Sequence, residues 1–95
     1  MELRFEWDKR KDRSNQRKHG IAFEEAQSVF YDENARLIAD EEHSAEEDRF
    51  VLLGLSRRLR VLIVCHCYRR NEVIRIISAR QATATESAEY EEFLP

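Results

Sequence analysis

No stretch of this 95-residue chain holds the roughly 18 consecutive apolar residues that a membrane-spanning helix needs. The opening MELRFEWDKR is charged from its second residue, so it does not read as a secretory signal. Cysteine is scarce: Cys65 and Cys67 flank His66 in VCHCY. Residues i and i+2 of a strand face the same way but sit too far apart for an easy disulfide. Reduced thiols and a cytoplasmic location are expected. Repeats, linkers and low-complexity segments are missing too. So are the glycine-rich phosphate loops, G-x-S-x-G and H-E-x-x-H, which leaves nucleotide-loop, serine-hydrolase and zinc-protease chemistry without support. Strand alternation places the two thiols opposite the imidazole, and a structural zinc site needs four ligands. No metal and no other cofactor is expected, and the cysteines read as small buried hydrophobes.

What the chain does hold is charge, 37% of its residues, beside 42% apolar residues, which is the composition of one compact domain over 1–95. The net charge of −3 conceals blocks of alternating sign. Residues 1–20 carry a net +3, 21–50 a net −8, 51–80 a net +6 and 81–95 a net −4. One basic and one acidic surface on a small body follow, and a basic patch steers polyanions whatever the total charge. Solvated faces with no further role fit the same pattern.

Leu3, Phe5 and Trp7 alternate with Arg4 and Glu6, which predicts a half-buried strand. Asp8 can cap a helix over about 9–18, with His19 near its end and Gly20 to stop it. That helix, KRKDRSNQRKH, has no large apolar residue, so capping, aliphatic stems or a partner must hold it. A second helix over about 23–30 has Phe23, Ala26, Val29 and Phe30 on one side, with Glu24, Glu25 and Gln27 toward water. Residues 31–34 read as a turn, 35–40 as a short strand and 41–48 as an acidic surface loop. RFVLLGLS, LRVLIVCHCY and EVIRIISAR read as an antiparallel meander. A last helix starts at Thr83 or Thr85, and Thr83 and Glu86 have capping-box spacing. The fold class is α+β: a mainly antiparallel sheet of about four to five strands, two N-terminal helices and one C-terminal helix.

Chemistry-bearing side chains are cationic or titratable: Lys18, His19, His66, Arg75, Arg80 and Tyr90. Such a set suits RNA cleavage by the substrate's own 2′-hydroxyl. The reaction needs a proton acceptor, a cation for the crowded phosphorane and a donor to the leaving oxygen. Arginine's planar, permanently charged fork fits the middle role. Each residue also has a plainer reading. His19 is a helix-end cation or a general base or acid. Lys18 is a solvated lysine or a phosphate contact. His66 is a core or edge histidine, and Trp7 a core residue. Tyr90 packs a helix on the sheet or donates in the site. Arg75 and Arg80 are phosphate clamps or partners of Glu86 or Glu89. Five positions apart on a regular strand, they face opposite ways unless a bulge intervenes.

The chain also resembles the BrnT family of bacterial type II toxins. The likeness is carried by FEWD at 5–8, RKHGIAFEEAQSVF at 17–30 and DEEHSAEEDRFVLLGLS at 40–56. It continues through VCHCYR at 64–69, IRIISARQAT at 74–83 and ESAEYEE at 86–92. The resemblance implies a RelE-like fold and a metal-independent endoribonuclease that cleaves RNA and blocks translation. It implies neutralisation by a BrnA-like ribbon-helix-helix antitoxin, a hetero-oligomer with it, and operator DNA met only through it. By the family pattern the active surface comprises Lys18, His19, Arg75, Arg80, Glu86 and Tyr90. Two departures stand out. Gln81, Ala84, Thr85, Ser87 and Ala88 occupy a segment where relatives commonly carry lysine or arginine. That motivates an alternative, a catalytically degenerate toxin that only binds its antitoxin and tunes transcription. Ala22 stands where relatives commonly have the helix-capping serine, a loss of about 1 kcal/mol. A non-enzymatic nucleic-acid-binding domain is a further reading.

Overall fold

A computed structural model describes residues 2–39 and 49–95. The acidic run at 41–48 lies outside them. The elements in chain order are β1 (Phe5–Glu6), α1 (Lys9–His19), α2 (Phe23–Ser28), a 3-10 turn (Val29–Tyr31), β2 (Arg36–Ala39), β3 (Arg49–Leu55), β4 (Val61–Arg69), a second 3-10 turn (Arg70–Glu72), β5 (Val73–Gln81) and α3 (Ala84–Glu92). The strands form one sheet in the order β1-β5-β4-β3-β2, antiparallel throughout except where β1 runs parallel to β5. The expected α+β class is therefore observed.

Both sheet faces are covered, which explains why β3 and β4 read as near-continuous apolar runs. On one face Leu52, Leu62, Val64, Ile76 and Ala79 pack against Ile21, Phe23, Ala26 and Val29 from α2 and its flanks. On the other, Leu53 and Ile63 pack against Tyr90 of α3. Fully burying each of these large side chains stabilises by about 1.5–3 kcal/mol. Gly54 is required by closeness: a Cβ there would lie 2.8 Å from Val29 Cγ1 and 2.9 Å from Ala35 Cβ.

The polar helix α1 is held as its composition demands. The Asp8 carboxylate accepts from the Arg10 and Lys11 N–H groups at 2.7 and 3.4 Å. Gly20 closes it at φ 70°, and among the described residues nothing lies within 4 Å of a Cβ there, so backbone angle and not space selects glycine. The partner is Asn15, which is buried. Strand β1 covers only Ile74 and Arg75 of β5. Further along that edge the Asn15 amide takes the place of a strand, donating to Ala79 O (2.7 Å) and Ile21 O (2.8 Å) and accepting from Ala79 N–H (3.0 Å). Ala22 makes no side-chain cap on α2. Asp12 of α1 supplies one instead, accepting from Phe23 N–H at 2.9 Å.

Glu25 differs from its expected solvent-facing position: it is buried. Arg60 grips both its oxygens and Ser56 Oγ donates to Oε2 at 2.7 Å, fastening the β3–β4 turn to α2. Burial alone would raise the Glu25 pKa; the Arg60 and Ser56 hydrogen bonds outweigh it and hold the carboxylate charged.

His66 is fully buried among Phe30, Phe50 and Tyr68, with Nδ1 3.2 Å from Val64 O and Nε2 without a partner among the described residues. Burial lowers its pKa below the usual imidazole value. The unfolded imidazole, at about 6.5, then takes a proton that the folded one refuses. Stability from this group is present above that pH and is lost as pH falls below it, at up to about 1.4 kcal/mol per unit. The thermal midpoint should drop between pH 7.5 and 5.5. In His66→Phe the drop should shrink; an unchanged drop would exclude His66 as its source.

Candidate active site

Strand β5 carries most of the site, and one irregularity decides its geometry. Cys65 pairs with Ser78 and His66 with Ile76, so Ile77 is an extra residue: a β-bulge. Before it, Ile74 and Ile76 face the α2 core; after it, Ala79 does. The bulge thereby turns Arg75 and Arg80 to the same face. Their partners on regular β4 are Cys67 and Ile63, both on the α3 side. Those partners stand four positions apart on β4, about 13 Å along a strand. The two arginines therefore address different points of a bound chain, with Ser78 between them.

Both guanidinium groups have carboxylate partners. Arg75 Nη1 donates to Glu6 Oε2 at 2.6 Å. Arg80 makes a two-pronged contact with Glu86, at 2.7 and 3.0 Å. Glu86 also completes a capping box with Thr83 at the start of α3. The Arg80 hydrogen bonds, opposed by burial, bring the Glu86 pKa down to about 2. Glu86 is thus an anion at any working pH and serves as the counter-ion of Arg80.

Lys18 and His19 occupy the last turn of α1, which runs beside β5. With Lys11, Ser14 and the bulge residues Ile77 and Ser78 they line a groove of about 190 Å³. His19 is exposed. Three of the expected residue sets thus adjoin β5: Lys18 with His19, Arg75, and Arg80 with Glu86. Tyr90 lies one turn on from Glu86 in α3 and packs on Ile63, the strand partner of Arg80. It is 4% exposed and donates to Asp32 Oδ2 at 2.6 Å. Burial and the Asp32 carboxylate push its pKa up to about 12. Asp32 also accepts from the Leu55 and Asn34 N–H groups at 2.8 and 3.0 Å. These bonds outweigh burial and keep it ionised. Tyr90 is an anchor of α3 in this arrangement. Ser78 and Asn15 were missing from the expected set; the apolar Ala79 after ISAR's serine was the available sign that alternation breaks.

Cys65 and Cys67 are reduced, and the His66 ring lies on the opposite face from them. Among the described residues no group of three or more His, Cys, Asp or Glu side chains could hold a metal ion. Among them, too, no helix is long and apolar enough to cross a membrane.

Comparison with known proteins agrees with the fold. A crystal structure of the Brucella abortus ribonuclease toxin BrnT superposes with a TM-score of 0.66 at 23% sequence identity, over 86% of this chain and 99% of that one. At that identity the likeness speaks for the fold alone. The comparison with curated proteins gave no match. The family model for the ribonuclease toxin BrnT of type II toxin–antitoxin systems matches residues 7–86. With that match over most of its length, the chain belongs to the BrnT family of type II ribonuclease toxins.

Proposed function

We propose that this chain is an endoribonuclease that cleaves RNA and thereby inhibits translation, and that a BrnA-like ribbon-helix-helix antitoxin neutralises it in a hetero-oligomer in the cytoplasm. Operator DNA is met through the antitoxin. One observation carries the choice of active surface: the Ile77 bulge brings Arg75, Ser78 and Arg80 to one face, beside the groove of Lys18 and His19. In this reading His19 takes the 2′-hydroxyl proton as that oxygen attacks phosphorus, the arginines steady the charge that builds on the phosphorane, and the P–O5′ bond breaks as the departing oxygen takes a proton from water. Lys18 and Lys11 hold flanking phosphates. Glu86 and Tyr90 fix α3, and Glu86 orients Arg80. The nucleophile belongs to the substrate, so no step calls for a metal.

Inducing the chain alone in a bacterial host should arrest growth and fragment total RNA. The purified chain should cleave RNA equally with and without EDTA. Activity that EDTA abolishes would overturn the metal-free mechanism.

A second reading has its own support. Arg75 and Arg80 are both matched by carboxylates of the same chain. A degenerate toxin, binding only its antitoxin, could leave them so. Induction without growth arrest and with intact RNA would favour it.

A further inference from the structure

We propose that the cavity between the N-terminal segment and the β4–β5 turn is a nucleobase subsite, with Tyr68 as its stacking platform and Glu72 as acceptor for a base's amino hydrogens. The inference rests on the ribonuclease reading above and adds a place where one base of the substrate is read.

The cavity measures about 560 Å³, within the range of small-ligand sites. Leu3, Ile74 and the Tyr68 ring supply apolar wall. Tyr68 is 48% exposed, yet its ring is steadied by edge contacts with Phe50 at 5.5 Å and His66 at 5.4 Å. A fixed, half-open aromatic ring over an apolar floor is what a base needs for stacking. The rim is charged, with Arg4 and Arg69 beside Glu2 and Glu72. Arginine suits the phosphate of a bound nucleotide.

Glu72 has φ 63°, a left-handed backbone that non-glycine residues rarely adopt. Such strain persists where surrounding structure demands it and gathers at ligand sites. A carboxylate only accepts hydrogen bonds, so it favours the amino group of cytosine and disfavours the carbonyl that uracil has in its place. Tyr68 and Ile74 face the α2 side of the sheet and Arg75 the α3 side, so a bound RNA reaches both by passing around the end of the sheet at the β4–β5 turn. Ile74 in its wall is the chain neighbour of Arg75, and Arg4 is two residues from the Arg75 partner Glu6.

The test is an NMR titration of the full chain with cytidine 3′-monophosphate and, separately, uridine 3′-monophosphate. Amides of Leu3, Arg4, Tyr68 and Glu72 should shift, with cytidine bound about 10-fold more tightly. Tyr68→Ala should weaken both nucleotides about 10-fold or more, and Tyr68→Phe should bind as the parent does. Glu72→Gly, which relieves the left-handed backbone, should fold and should lower cytidine binding to the uridine level. Shifts that avoid these amides, or a cytidine preference that survives Glu72→Gly, would overturn the subsite. Cleavage that still depends on Arg75 and Arg80 beside a silent titration would sink the subsite and leave the ribonuclease reading standing. A positive titration beside a purified chain that cleaves no RNA would leave the subsite standing and sink the ribonuclease reading.

Discussion

Arg80→Ala should lower the rate of RNA cleavage by about 10²–10³-fold, the usual effect of removing one donor from developing transition-state charge. Growth arrest on induction should disappear with it. Arg75→Ala should show a loss of the same kind. The Arg75 and Arg80 anchor points are too far apart for one phosphate to satisfy both, so neither arginine can fully stand in for the other. Antitoxin binding and fold should survive, because both side chains are partly exposed and neither belongs to an apolar cluster. Glu86→Gln separates orientation from charge. It keeps the shape of the Arg80 contact, removes the competing anion, and should tighten RNA binding while lowering turnover less than Arg80→Ala does. The measurement is cleavage of a single-stranded RNA by each purified variant, with circular dichroism to check folding. If both arginine variants cleave and arrest growth as the parent does, the β5 face is not the active surface.

Asn15→Ala should have the largest effect on stability. It strips the partners from Ala79 N–H, Ala79 O and Ile21 O, three buried backbone groups. Unmade buried hydrogen bonds cost about 1–3 kcal/mol each, less where water enters, so about 3–4 kcal/mol in total is expected. For a chain of this size that is a fall in thermal midpoint of about 15–25 °C. Asn15→Asp sharpens the test. It retains an acceptor for Ala79 N–H but sets an anion against two carbonyl oxygens, so it should be at least as damaging as alanine. A fall below about 5 °C in both variants would mean that water or another group secures this edge of β5.

Much of this fold was legible from local chemistry. Asp8 and Gly20 bound α1 where their capping preferences place them, and Thr83 and Glu86 form the capping box that their spacing implies. The three long strands fall where apolar runs end in turn residues. The Arg80–Glu86 pair was among the alternatives that six-residue proximity allowed. Arg75 instead found Glu6, because the parallel pairing of β1 with β5 is a long-range fact invisible in either segment. Glu25 is buried for a similar reason: its partner Arg60 sits 35 residues away on a turn. Asn15 looked like one more polar residue of a polar helix. Its role depends on how short β1 is, which only the assembled sheet reveals. The orientation of Arg75 and Arg80 was conditional on a bulge, and a bulge is defined by the partner strand's register.

The Ile77 bulge makes β5 behave like a text with two reading frames. Residues before it are spelled in one frame, with even numbers inward, and Ala79 after it in the other. Exchanging any one residue leaves the frames alone. Deleting the one extra residue merges them: Arg75 and Arg80 then stand four positions apart on a regular strand and still share a face, while Ala79 keeps its place opposite Val64. A second deletion would leave them three positions apart and turn Arg80 toward the apolar core. The shared face of Arg75 and Arg80 thus requires either five positions with a bulge or four without one.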